Sequence, residues 1–299
     1  MKYNLEKYHP IELDDLIRLG REFDGGYVVS KRQIEKTDIL LSFGVNDDWS
    51  FEMDFEKLKH IKIFSYDYSV SKKCKYTEIR DSIGCMLGYL FVLRRSKVKE
   101  AWRHIKKILH DINSLYKYFQ EKYDRNFIPK YLGEFDDDKY ISFDTIFNRL
   151  KNDKMIGGGG GMPVFVKMDI EGAEYKVLPC LSPYFDKING IVVEFHGLKN
   201  PFEFGLNEPP PFGEISELLL KDFYVAHIHG CNNGGHIINS TLPAVVEITF
   251  INKNLFFENV KLSSNNYPLK GLDFPCDKRL SDIELHFNNP EHITEINSN

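Results

Sequence analysis

The sequence predicts an α/β domain built on a mostly parallel sheet. Short apolar, β-rich runs alternate with longer helical patterns along the chain, the order that lays parallel strands side by side with helices between them. The runs are nearly continuous in apolar residues, as strands covered on both faces must be. Several end in polar residues followed by glycine, a composition suited to a strand end that turns sharply at a rim.

Taken in order, DILLSF (38–43) is the first strand of this sheet, stopped at Gly44. The helical stretch SFEMDFEKLKH follows, and then a second strand, IKIFSYD (61–67), closed by Asp67. Residues 72–125 carry Lys, Arg, Leu and Tyr at helical spacing and read as a helical insertion after that strand. YISFDTIFNRL (140–150) reads as a short strand entering a helix capped by Ser142 or Asp144. PVFVKMD (163–169), GIVVEFH (190–196) and FYVAHIH (223–229) are further strands, with the helix EISELLLKD (214–222) between the last two. AVVEITFIN (244–252) is a late, antiparallel strand.

The connections are read from composition. IGGGGGMP (156–163) precedes a strand, whereas a phosphate cradle follows one and opens a helix, so it is read as a linker. The Pro-rich stretch 197–213 follows a strand and is read equally as a lid over the ligand crevice or as an ordinary surface loop. IGCMLGYLFVL (83–93) is too short to span a bilayer; it reads as a core helix segment, with a shallow membrane contact as the alternative. The last stretch, NNPEHITEINSN, reads as frayed.

With 299 residues, 42% of them hydrophobic, and 23 Phe and 16 Tyr, the chain can bury a sizeable core, and it is read as a single domain over 1–299. The net charge of -5 gives no basic excess for nucleic acid. The one basic stretch, 94–108, reads as a solvated helix face. Five scattered cysteines without a C-x-x-C signal neither a disulfide framework nor a zinc knuckle, which suits a reducing cytoplasm. The polar N-terminus carries no visible signal peptide.

Ligands of open parallel sheets bind at the carboxyl ends of the strands. Three such ends share one form, polar–apolar–polar–Gly: Asp169-Ile170-Glu171-Gly172, Glu194-Phe195-His196-Gly197 and His227-Ile228-His229-Gly230. Strand side chains alternate faces, so each polar pair lies on one side of the rim. Singly, each end could merely cap a strand; together they read as a polar floor. Gly44 allows close approach of a cofactor, and Asp67 can accept from two ribose hydroxyls. The turn FGVNDDWSFE has one glycine where a pyrophosphate-binding turn has three, and Asp47, Asp48 and Glu52 would repel phosphate. A phosphate-free, cationic nucleoside such as S-adenosylmethionine fits that turn better than NAD.

FVKMDIEGAEYKVL (165–178) resembles the signature of FkbM-type S-adenosylmethionine-dependent methyltransferases. SFDTIF (142–147), IVVEFH, DGGYVV (24–29) and SFGVNDDWSFE (42–52) resemble other segments of that family, in order, over roughly 20–252 and interrupted by 72–125. Ser42 stands where the family places Asp, and Asp48 replaces a glycine. The resemblance implies a class I methyltransferase (Rossmann-like) fold, a seven-stranded sheet with a reversed last strand. It also implies methyl transfer to a hydroxyl, often of a sugar in a glycan or of a natural product.

Roles follow for named residues. Gly44, Asn46 and Asp48 border the methionine part of the cofactor, and Asp67 holds the ribose. Asp24 to Tyr27 either close over the cofactor or form a turn entering a strand. Asp169 faces the reacting centre. A sugar hydroxyl is a weak acid, so a base or a metal is needed; His196 is the first choice for base and His229 the second. The metal alternative is a divalent ion on Asp169, Glu194, His196 and His229. Glu171 is read as binding turn N–H groups and Glu174 as favouring the first turn of the next helix. Loop residues 229–236 could hold a polyhydroxylated ligand or form a tight turn. The rival functions are a nucleotide-dependent oxidoreductase and a non-catalytic glycan-binding protein with a degenerate cofactor site.

Overall fold

The computed structural model describes residues 4–120, 124–156, 163–200, 202, 205, 206, 210–236, 242–256 and 260–287. In chain order the elements are β1 (Leu16–Leu19), β2 (Tyr27–Ser30), α1 (Lys31–Lys36), β3 (Ile39–Phe43), α2 (Ser50–Leu58), β4 (Lys62–Tyr66), α3 (Lys72–Phe91) and α4 (Arg95–Gln120). There follow β5 (Arg125–Ile128), β6 (Tyr131–Leu132), β7 (Tyr140–Ile141), α5 (Phe143–Asn152), β8 (Val164–Met168), α6 (Glu174–Leu181), β9 (Ile188–Phe195), α7 (Phe212–Asp222), β10 (Phe223–His236) and β11 (Pro243–Asn252). Residues 157–162 of the linker read at 156–163, parts of the 197–213 loop and the final twelve positions, 288–299, lie outside the described residues.

The main sheet has seven strands in the order β10-β11-β9-β8-β3-β4-β5. Strands β9, β8, β3, β4 and β5 pair in parallel, and β11 runs antiparallel to both β9 and β10. This is the class I methyltransferase arrangement, with the last strand reversed and inserted between β9 and β10. Strand alternation divides the core between two faces. Leu41, Phe43, Val166, Met168, Ile191 and Val193 face α5, α6 and α7, where Phe143, Phe147, Leu178 and Phe212 are buried. Leu40, Ile63, Phe165 and Val192 face Phe51 and Phe55 of α2, Leu115 and Phe119 of α4, and Tyr27 of β2.

Ser142 is the cap of α5: its hydroxyl accepts from the Thr145 N–H at 3.3 Å, and Asp144 falls in the first turn. Ser142→Ala is expected to lower stability by about 1 kcal/mol, read from the denaturation midpoint at unchanged m-value.

Three features depart from the sequence pattern. Residues 125–128, at the end of the segment read as helical, form an edge strand of the sheet. Its polar Arg125 and Asn126 hide the strand pattern; the Arg125 guanidinium ion-pairs with Glu56 and stacks 4.0 Å from the Tyr118 ring centroid. The segment 83–93 is not core: no residue of α3 is buried, Phe91 is 93% exposed and Leu93 82%. The helix leans on α4 rather than on the sheet, because α4 supplies the buried face (Ile105, Ile108, Leu115) and α3 covers its outer side. Finally, β1 and β2 form an antiparallel hairpin across the sheet face, anchored where Thr249 Oγ1 donates to the Val28 carbonyl (2.6 Å) and Gln33 Nε2 to that of Phe250 (2.9 Å).

Candidate active site at the strand ends

A cavity of about 590 Å³ opens at the carboxyl ends of β3, β4, β8 and β9. Its walls include Gly44, Asn46, Asp67, Asp169, Glu171 and His196.

The backbone at its centre is tightly built. Gly44 has φ +79°, and a Cβ there would lie 1.5 Å from the Asp169 carbonyl oxygen. The glycine therefore exists first for contact between the ends of β3 and β8, not to admit a ligand. The Gly44 carbonyl accepts from Lys167 Nζ at 2.8 Å. Ser42, at the position where an aspartate was expected, is buried and donates its hydroxyl to the fully buried Glu52 of α2. A carboxylate thus sits behind this turn, supplied from the next helix.

Asp67 is 5% exposed and already organised. Its Oδ1 accepts from the Ser69 N–H and hydroxyl, both at 2.7 Å, and its Oδ2 accepts from the Asn46 N–H at 2.8 Å. A carboxylate has about four acceptor positions, so capacity remains for a hydroxyl from the cavity. Asp48 accepts from the Ser50 N–H (3.1 Å) and pairs with Arg21 Nε at 3.0 Å. Arg21 is a cavity-wall cation that the sequence did not single out.

Asp169 and Glu194 share a phenol. The Tyr27 hydroxyl lies 3.1 Å from Asp169 Oδ2 and 3.3 Å from Glu194 Oε2. It has one proton to give. Burial, reinforced by the charges of Asp169 and Glu247, pushes the Glu194 carboxyl well above the usual carboxylate range, so Glu194 keeps its proton and Tyr27 donates to Asp169. Tyr27 is 2% exposed and packs edge-on against Phe51. It was read as a cofactor contact; its ring belongs to the core and its hydroxyl positions Asp169.

His196 is held by Glu174, not by the helix dipole logic first given to that glutamate. Glu174 is fully buried; Oε1 accepts from the His196 N–H at 2.7 Å and lies 3.2 Å from His196 Nδ1, while Oε2 accepts from the Gly172 N–H at 2.9 Å. The corner is therefore secured by Glu174. Glu171, read as the corner holder, is 72% exposed at its side chain and faces the cavity. His196 Nε2 lies 3.7 Å from carboxyl oxygens of Asp169, Glu171 and Glu194. Burial lowers the imidazole pKa, but Glu174, then Asp169 and Glu171, outweigh it and push it up to about 9. At neutral pH His196 is a cation and has no lone pair with which to act as a base.

A raised pKa has a stability consequence with a definite sign. The imidazolium contribution is complete below the ordinary histidine value of about 6.5 and is lost as pH rises through the folded value of about 9. The stability advantage of the wild type over His196→Asn is therefore expected to shrink between pH 6 and pH 9.5. Urea titrations of both proteins at the two pH values measure it.

The four residues first grouped as metal ligands do not form one set. Asp169, Glu171 and His196 bring donor atoms within 4.8 Å of one another, and Glu194 borders them. His229 lies two strands away, beyond β11, with Nδ1 3.0 Å from Glu247 and Nε2 3.0 Å from Asp282. His227 instead meets Asp273 at 3.0 Å. His229 is likewise removed from the reacting centre as second choice of base.

Residues 147–239 match the family model described as methyltransferase FkbM domain, a span that includes β8, α6, β9 and their polar ends. Over that span the chain is similar to methyltransferases of the FkbM type, which supports S-adenosylmethionine-dependent methyl transfer as its activity. Among solved structures, the chain is similar to the Methanococcus jannaschii fibrillarin pre-rRNA processing protein, at 10% identity over 74% of this chain and 68% of that one, with a TM-score of 0.34. It is also similar to precorrin-6y C5,15-methyltransferase from Geobacter metallireducens, at 11% identity over 74% and 84% of the two chains and a TM-score of 0.31. No curated protein matches.

Around this domain's cavity, sequence reasoning missed Arg21 and the roles of Glu52 and Glu174. No local signal marked the last of these: only the left-handed backbone at Glu171 (φ +55°) sends the two glutamates apart.

Proposed function

We propose that this methyltransferase acts on a hydroxyl of a sugar that carries no phosphate near the reacting atom. The observation that carries the reading is the charge of the cavity. Asp24, Asp47, Asp48, Asp67, Asp169, Glu171 and Glu194 line it, against Arg21, Lys167 and the His196 imidazolium. With Glu194 protonated, six carboxylates face three cations. A sulfonium donor is favoured in that field, and a pyrophosphate, whether of NAD or of a nucleotide-sugar acceptor, is repelled.

Within this reading Asp67 receives the ribose, Asn46 and Asp48 border the methionine moiety beside Arg21, and Asp169 receives the acceptor proton. Methyl transfer forms the O–CH3 bond as the sulfonium C–S bond breaks, and the acceptor proton passes to the Asp169 carboxylate. The His196 imidazolium, 3.7 Å away, holds Asp169 and offsets its charge. A second reading rests on the donor set Asp169, Glu171 and His196: a hard divalent ion there would acidify the hydroxyl directly. Loss of turnover on treatment with a chelator, restored by Mg²⁺ or Mn²⁺, selects it.

No described helix is long and apolar enough to cross a membrane; a cytoplasmic setting is part of the same proposal, and any membrane contact would fall at the exposed tip formed by Leu90 to Leu93. The lid read at 197–213, directly after the cavity-wall residue His196, is kept as part of this proposal.

Isothermal titration tests the donor. S-adenosylmethionine is expected to bind and NAD not to. Asp67→Ala is expected to weaken the donor by about 10- to 100-fold, the worth of hydrogen bonds to a charged acceptor. Equal affinity of wild type and Asp67→Ala would remove Asp67 from the site.

A further inference from the structure

His229, Glu247 and Cys276 lie outside the methyl-transfer cavity and belong to three separate segments: β10, β11 and the irregular stretch 260–287. Each is buried, at 2%, 5% and 8% exposure. Their donor atoms all fall within 4.8 Å of one another. Cys276 Sγ lies 3.9 Å from Glu247 Oε1, and His229 Nδ1 lies 3.0 Å from Glu247 Oε2. A fourth donor adjoins them: Cys231, 2% exposed on β10, packs against Cys276 in one small buried cluster.

We propose that His229, Glu247, Cys276 and Cys231 form a zinc site that fastens the C-terminal stretch to the edge of the sheet.

The donor chemistry selects the metal. One imidazole, one carboxylate and two thiols suit a borderline-soft, four-coordinate ion and are a poor set for Mg²⁺ or Ca²⁺, which take oxygen ligands. Zinc–ligand bonds of about 2.0–2.3 Å require the three close donors to move inward by less than about 1 Å each. The outer shell is already in place. His229 Nε2 lies 3.0 Å from Asp282 Oδ1, the carboxylate–histidine arrangement that fixes the tautomer and leaves Nδ1 for the metal.

The position explains what such an ion would do. Stretch 260–287 contains no strand or helix of its own beyond isolated bridges at Leu262, Tyr267, Lys270, Asp273 and Leu285. Cys276 meets the sheet through a small apolar cluster with Cys231 and Val245, both of which also line the methyl-transfer cavity. The zinc would tie Cys276 to β10 and β11 at the back of that wall. The inference does not depend on which acceptor the cavity takes.

The test is metal analysis of the full chain, purified without chelator or affinity metal. One zinc per chain by plasma mass spectrometry is expected. After stripping and refilling with Co²⁺, a thiolate-to-cobalt charge-transfer band in the near ultraviolet is expected, about halved in Cys276→Ser and in Cys231→Ser and absent when both are replaced, while Cys74→Ser retains it. The thiolate band separates this site from an ion on Asp169, Glu171 and His196, which offers no sulfur. A chain that retains no zinc after dialysis against micromolar zinc overturns the proposal. So does a cobalt complex without the thiolate band, or an intact mass two hydrogens short that marks a Cys231–Cys276 disulfide. These readings on the native chain decide the matter even where a variant fails to fold.

Discussion

Asp169→Asn is expected to lower kcat by about 10³-fold, within the span of general-base catalysis, with S-adenosylmethionine affinity changed by only a few-fold. The amide keeps the shape and still accepts from the Tyr27 hydroxyl, now 3.1 Å from Asp169 Oδ2, but it cannot take up the acceptor proton. The pH profile sharpens the assignment. His196 is protonated up to about pH 9. If Asp169 is the base and the imidazolium supports it, kcat is flat across neutral pH and falls above 9. If neutral His196 were the base, kcat would instead climb towards pH 9. Activity in Asp169→Asn within tenfold of wild type, or a rate that rises towards pH 9, would return the proton transfer to His196 or to a bound ion.

Gly44→Ala is expected to destabilise the fold by about 3 kcal/mol or more, through two costs that act together. The backbone at Gly44 has φ +79°, where a side chain is strained, and the new Cβ would sit 1.5 Å from the Asp169 carbonyl oxygen. Relief requires the ends of β3 and β8 to part, which also breaks the 2.8 Å bond from Lys167 to the Gly44 carbonyl and the 3.1 Å bond from the Asp169 N–H to the Phe43 carbonyl. Because Asp169 moves with that backbone, surviving folded protein should also lose turnover. Urea unfolding with activity on the same sample measures both. A midpoint within error of wild type would mean that β3 and β8 are not locked at this point.

The central strands were legible because they are buried on both faces and leave unbroken apolar runs. DILLSF and PVFVKMD each fell within a residue of β3 and β8. AVVEITFIN was read as an antiparallel strand, and β11 is antiparallel to both neighbours, although a run buried throughout carries no mark of its direction. Edge strand β5 was not legible, because polar Arg125 and Asn126 break the apolar pattern. The exposure of α3 was not legible either: IGCMLGYLFVL has core composition, and only the packing shows that α4 lies between it and the sheet.

Of the site, the strand-end residues Asp67, Asp169, Glu171, Glu194 and His196 were readable by position, because topology places the carboxyl ends of parallel strands on one rim. Which carboxylate does what was not readable. Glu171 and Glu174 are three residues apart, yet a left-handed backbone at Glu171 (φ +55°) sends one to the cavity and the other beneath His196. His229 was grouped with His196 because both follow the same four-residue pattern, but β11 stands between their strands. The Cys231–Cys276 contact joins residues 45 positions apart and leaves no local spacing to detect.

The most direct test of the proposed cofactor placement is a crystal structure with S-adenosylhomocysteine and an acceptor-free cavity. The ribose hydroxyls are expected within hydrogen-bond distance of Asp67, with the sulfur turned towards Asp169. A nucleoside bound away from the loops after β3 and β4, or a sulfur facing away from Asp169, would contradict the account.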